Sequence, residues 1–104
     1  MEIGVLGYIG SRNIGDYIQT KAVIDMIHPI NYKVLDREGL NKFKGSKLKT
    51  IINGWFMENP KNWPPNNNIS PLFISFHINP SAERDLLKPE SLNYLKQYEP
   101  IGCR

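Results

Sequence analysis

Apolar and polar positions change period along this chain, and the changes predict its elements. The run Ile3-Gly4-Val5-Leu6-Gly7-Tyr8 is short, mostly apolar and closed by Gly10-Ser11, as a buried first strand would be. Helical spacing follows: Ile18, Ala22 and Met26 recur at intervals of four with Val23 and Ile27 beside them, a stripe that should pack on a sheet until His28-Pro29 ends it. Asp16 occupies an expected N-cap position, with Gln19 three residues later. That spacing predicts a capping box, in which the carboxylate accepts a backbone N–H and the amide reaches back.

A second strand is predicted over Tyr32-Lys33-Val34-Leu35-Asp36, leaving through the polar Arg37-Glu38-Gly39 into an irregular crossover past Leu40 and Phe43. A third begins near Lys49 and runs through Thr50-Ile51-Ile52-Asn53-Gly54-Trp55, β-branched at its centre. From Phe56 to Ser70, Asn59-Pro60, Trp63-Pro64-Pro65 and Asn66-Asn67-Asn68 predict a long loop without regular structure. Leu72-Phe73-Ile74-Ser75-Phe76-His77-Ile78 is apolar at nearly every position, as a strand covered on both faces would be. A second helix is expected from Pro89 to Tyr98, and Pro100-Ile101-Gly102-Cys103-Arg104 reads as the start of a fifth strand. That ending predicts a longer protein continuing past Arg104.

Strands alternating with helical stretches predict an α/β fold: a Rossmann-like, three-layer domain on a mostly parallel sheet. At 104 residues the chain has the size of one domain or part of one. The formal charge of +3 is concentrated only at Lys42, Lys44, Lys47 and Lys49, a solvated loop rather than a nucleic-acid footprint. A lone cysteine, Cys103, and the absence of a signal-like start point to the cytoplasm, and no run is long enough for a membrane span. Cys103 has no neighbouring base and reads as a buried strand residue, not a nucleophile.

In open parallel sheets ligands bind beyond the carboxyl ends of the strands, so the strand exits hold the candidates. They are Ser11, Arg12, Asn13, Gly15 and Asp16 after the first strand, Asp36, Arg37 and Glu38 after the second, Asn53, Gly54 and Trp55 after the third, His77 and Asn79 at the end of the fourth, and Arg104 after the fifth. The glycines at 4, 7, 10 and 15 do not fit a dinucleotide fingerprint, because the first two lie inside the strand. Trp55 and Trp63 are candidate stacking platforms for a sugar, against the ordinary alternative of burial. His77 is a candidate proton carrier or a hydrogen-bonded structural residue. Arg12 and Arg104 could grip a carboxylate or phosphate, or simply make surface ion pairs.

Taken in order, Asn13-Ile14-Gly15-Asp16-Tyr17-Ile18-Gln19-Thr20, Asp36-Arg37-Glu38, Ile52-Asn53-Gly54-Trp55-Phe56, Asn62-Trp63-Pro64-Pro65, Ile74-Ser75-Phe76-His77 and Pro100-Ile101-Gly102-Cys103-Arg104 resemble the polysaccharide pyruvyl transferase family. The resemblance implies the N-terminal half of a two-domain, GT-B-like architecture, with the C-terminal domain lying beyond this chain. It implies transfer of a pyruvyl ketal from phosphoenolpyruvate to a sugar of a surface or exopolysaccharide, without metal or cofactor and with phosphoenolpyruvate as donor substrate. Asp16 or His77 would move protons, Arg12 would face the donor's negative charge, and the isolated chain would be inactive. Two other readings share the cleft: a non-catalytic Rossmann-like module for a sugar or nucleotide, and a glycosyltransferase-like domain. An exposed fifth strand and a half-open cleft leave apolar surface in water, so homo-oligomer formation is a further expectation.

Overall fold

A computed structural model describes residues 2–103. Four strands form a parallel sheet in the order β2-β1-β3-β4, where β1 is Glu2–Gly7, β2 Asn31–Asp36, β3 Leu48–Phe56 and β4 Ile69–Ile78. The fold is thus the expected Rossmann-like α/β arrangement. Next to β4 the predicted fifth strand begins: the Phe76 N–H donates to the Gly102 carbonyl at 2.8 Å and the Gly102 N–H to the Phe73 carbonyl at 3.1 Å. Cys103, which forms the accompanying parallel bridge with Phe76, is exposed rather than buried as expected.

Side chains alternate across the pleat, so successive residues feed opposite faces. Leu6 and Ile52 enter the larger core with Tyr8, Leu35, Leu40, Phe56, Trp63, Phe73 and Phe76. Their neighbours Val5 and Ile51 enter a smaller one beneath helix α1 (Ile14–Ile27), closed by Val23 and Ile27. Each such fully buried aliphatic or aromatic side chain contributes about 1.5–3 kcal/mol. The larger core is capped by a 3-10 turn at Arg37–Lys42, a short helix α2 (Glu83–Leu86) and helix α3 (Pro89–Gln97). Sequence patterning located α3 but not α2, which is only one turn long.

Helix α1 departs from its expected orientation. Ile18 and Met26 are each 61% exposed, while the buried positions are Asp16, Val23 and Ile27. The sheet takes the Val23–Ile27 edge because Thr20 docks the helix on β1, its hydroxyl donating to the Leu6 carbonyl at 2.7 Å. Rotating the Ile18–Ala22–Met26 stripe inward would break that bond. The same face leaves Leu72 and Ile74 of β4 exposed, so β4 is not covered on both sides.

The loop expected to be irregular from Phe56 to Ser70 is more ordered than its proline and asparagine content suggested. It carries a 3-10 turn at Pro60–Asn62, and β4 starts at Ile69. Trp63 anchors it: the indole is 7% exposed, packs among Phe56, Phe73, Phe76 and Tyr94, and donates from Nε1 to Ser91 Oγ at 2.7 Å. The proposed sugar platform at Trp63 is therefore a core residue, since a ring of that area, offered a hydroxyl partner inside, gains more from burial than from exposure.

Candidate functional site

Beyond β1 the chain turns at Tyr8, where the Ser11 N–H donates back to the Tyr8 carbonyl at 3.0 Å. Asn13 then caps α1, its Oδ1 accepting the Gly15 N–H at 2.9 Å. The cap thus lies three residues earlier than Asp16, and no capping box forms. Asp16 sits in the first helical turn, buried, with Oδ2 accepting the Ser11 hydroxyl at 2.5 Å. That hydroxyl also accepts the Asn13 N–H at 3.1 Å, so Ser11 ties cap and carboxylate together. A carboxylate at this position is stabilised by the unpaired amides and dipole of the helix start. An amide oxygen and a carboxylate oxygen can both cap, and spacing alone does not distinguish them.

The opposite wall hangs on Arg37. This residue is 2% exposed, yet its guanidinium lies 4.6 Å from the Tyr8 ring centroid and 5.0 Å from that of Trp55. Its Nε pairs with Glu38 Oε2 at 2.6 Å and its Nη1 donates to the Trp55 carbonyl at 3.2 Å. Glu38 in turn accepts the backbone N–H groups of Glu58 at 3.2 Å and Asn59 at 2.8 Å, while its own carbonyl accepts the Asn62 side-chain amide at 2.7 Å. The exit of β2 thereby fixes the loop that follows β3. Burial pushes the Tyr8 hydroxyl up to about 12; nearby Arg37 opposes the shift and Asp16 adds to it.

Between these walls lies a cleft of about 540 Å³ lined by Ser11, Arg12, Asn13, Gly15, Asp16, Gln19, Trp55 and Glu58. Its chemistry is mixed: one guanidinium, two carboxylates, two amides, a hydroxyl and an indole. Such a set can donate to and accept from a polyol while an aromatic surface meets its C–H face.

Six of the sequence candidates meet here: Ser11, Arg12, Asn13, Gly15, Asp16 and Trp55. Asn53 and Gly54 instead line a separate groove of about 330 Å³ beside α1. At Gly54, φ is +82°, and a Cβ would collide with the Gln19 side-chain oxygen and the Tyr8 hydroxyl. His77 is exposed near the end of β4, in register with Trp55, and is not part of the cleft wall. Arg104 lies outside the described residues.

Gln19 and Glu58 are not among the site candidates read from the sequence. Gln19 read as half of a capping box, but its Oε1 is buried without a hydrogen-bond partner. Glu58 lay within the supposed irregular loop, and only the Glu38 bridge reveals that it is held. The alternation of strand and helix pointed to the end of the sheet at which this cleft lies.

Among the described residues no helix is long and apolar enough to cross a membrane. Compared with family models, curated proteins and solved structures, the chain matches none.

Proposed function

We propose that this chain is the N-terminal, Rossmann-like domain of a polysaccharide pyruvyl transferase-like enzyme of two-domain, GT-B-like architecture, and that its cleft holds the acceptor sugar. The motif order from Asn13-Ile14-Gly15-Asp16 to Gly102-Cys103-Arg104 supports the family reading. The observation that carries the acceptor assignment is the charge of the cleft lining, in which one guanidinium, Arg12, stands against two carboxylates, Asp16 and Glu58. Phosphoenolpyruvate brings a phosphate and a carboxylate, which that wall would repel. A neutral polyol finds acceptors in Asp16 and Glu58, donors in Arg12, Asn13 and Gln19, and a ring in Trp55. At about 540 Å³ the cleft falls within the usual range for small-ligand sites.

In this reading Asp16, carrying the Ser11 hydroxyl on one oxygen, is the group that takes a proton from an attacking sugar hydroxyl. His77 serves only if a second domain brings the reacting atoms toward the end of β4. Arg12 orients the sugar rather than neutralising the donor.

Titration of the isotope-labelled chain with galactose, N-acetylglucosamine and phosphoenolpyruvate, followed by amide chemical shifts, tests the assignment. Saturable shifts confined to residues 11–19 and 55–58 are expected with a sugar. Saturation by phosphoenolpyruvate with no response to either sugar would overturn the acceptor assignment. In a protein carrying both domains, consumption of a nucleotide-sugar without phosphate release from phosphoenolpyruvate would overturn the family reading.

A further inference from the structure

The outer flank of α1 carries several large apolar side chains exposed to solvent. Ile14 is 74% exposed, Ile18 and Met26 are 61%, and Tyr17 is 49%. Ala22 is also exposed, and together with Gln19, Val23, Met26, Ile51 and Ile74 it borders the 330 Å³ groove over β3 and β4. Leu72 and Ile74 of β4 are exposed as well, and exposed apolar side chains grouped on one face mark an interaction surface rather than the scatter normal for a monomer.

We infer that this flank is a two-fold interface with a second copy of the chain, the two α1 helices lying antiparallel and crossing at Ala22. Three observations converge on a copy of the chain itself as occupant. Ile14, Ile18, Ala22 and Met26 form an unbroken i,i+4 ridge, the row that interdigitates when two like helices pack. The ridge is self-complementary about Ala22: Ile18 of one chain meets Met26 of the other, and the small side chain stands where the helices must come closest.

The charges are self-complementary as well. Lys21 and Asp25 border the ridge, paired at 2.5 Å with side chains 71% and 62% exposed. An antiparallel partner brings its Asp25 toward Lys21 and its Lys21 toward Asp25, closing a four-charge ring across the axis. A parallel two-fold partner would instead set this flank against the opposite one, Gln19 and Val23, and leave both charges without a counterpart. Antiparallel helix dipoles favour the same arrangement. The cleft stays open, because Ser11, Arg12, Trp55 and Glu58 lie beyond the N-terminal end of the helix and the carboxyl ends of the strands.

Sedimentation equilibrium of the 104-residue chain over a range from about 1 µM to 1 mM tests this, with the Cys103→Ser background removing the exposed thiol. A monomer–dimer equilibrium is expected. Ile18→Glu, at an exposed position that leaves the fold intact, should weaken it at least tenfold. Lys21→Asp should weaken it too, whereas Lys21→Asp combined with Asp25→Lys should restore it. Ala22→Cys should cross-link into a disulfide dimer on mild oxidation. A chain that is monomeric at every concentration overturns the proposal and assigns the flank to a different partner. So does a dimer indifferent to Ile18→Glu, or a double charge swap no better than the single one.

Discussion

Replacing Arg37 tests the architecture of the site most directly. The Arg37→Ala change removes a guanidinium that touches two rings, one carboxylate and one carbonyl. The two ring contacts are worth about 0.5–2 kcal/mol each when desolvated. The Trp55 carbonyl loses its side-chain donor, and Glu38 keeps only its bonds to the Glu58 and Asn59 amides, with its own side chain still 17% exposed. Removing one member of a buried ion pair costs about 3–5 kcal/mol, and the overlap of these contributions keeps the whole effect near that figure rather than at their sum. For a domain of about 100 residues each kcal/mol moves the midpoint by roughly 4–8 °C, so a fall of about 12–40 °C is expected. Arg37→Met, which retains the stem between the rings, should recover part of it. Thermal unfolding followed by far-ultraviolet circular dichroism, with urea titration as a second probe, measures both. A loss under 1 kcal/mol for Arg37→Ala would show that the guanidinium does not hold the cleft wall.

Other substitutions separate the remaining roles. Asn13→Ala should cost about 1 kcal/mol as a lost N-cap and Asn13→Asp much less; a urea midpoint for Asn13→Ala equal to that of the parent chain would refute the cap. Ser91→Ala leaves the Trp63 indole N–H and the Leu86 carbonyl without their shared partner, an expected loss of about 1–3 kcal/mol by chemical denaturation. Gly54→Ala forces a side chain into left-handed backbone against Gln19 and Tyr8; a destabilisation of about 1–3 kcal/mol is expected, and a neutral result in thermal melts would refute the crowding. The Tyr8 hydroxyl is raised by burial from 10.0 to about 12, so its neutral form is favoured by folding. Its stabilising contribution is complete below pH 10 and is lost as pH climbs from 10 through about 12. Urea midpoints of Tyr8→Phe should accordingly decline less between pH 9 and pH 12 than those of the parent chain.

What could be read from the sequence follows from which forces act locally. Strand positions and α3 follow from short-range apolar patterning, and the site's end of the sheet follows from the alternation of strand with helix. The rotation of α1 does not. Its apolar residues span most of the helix, so periodicity alone allows more than one inward face, and the choice falls to Thr20 reaching a carbonyl fourteen residues back on β1. Arg37 is a stronger case. Beside Glu38 in a polar triplet it has the signature of a surface turn, and charged residues are seldom buried unless paired. Its burial depends on Tyr8 and Trp55, which lie on two other strand exits and come together only when β1 stands between β2 and β3. The Asn13–Asp16 loop could be found because its chemistry lies within one turn of chain, whereas the wall facing it is assembled by topology. Arg37 thus links the two: the residue that turns Trp55 and Glu58 into a cleft wall is one that never touches the cleft, and its removal should loosen the site before it abolishes the fold.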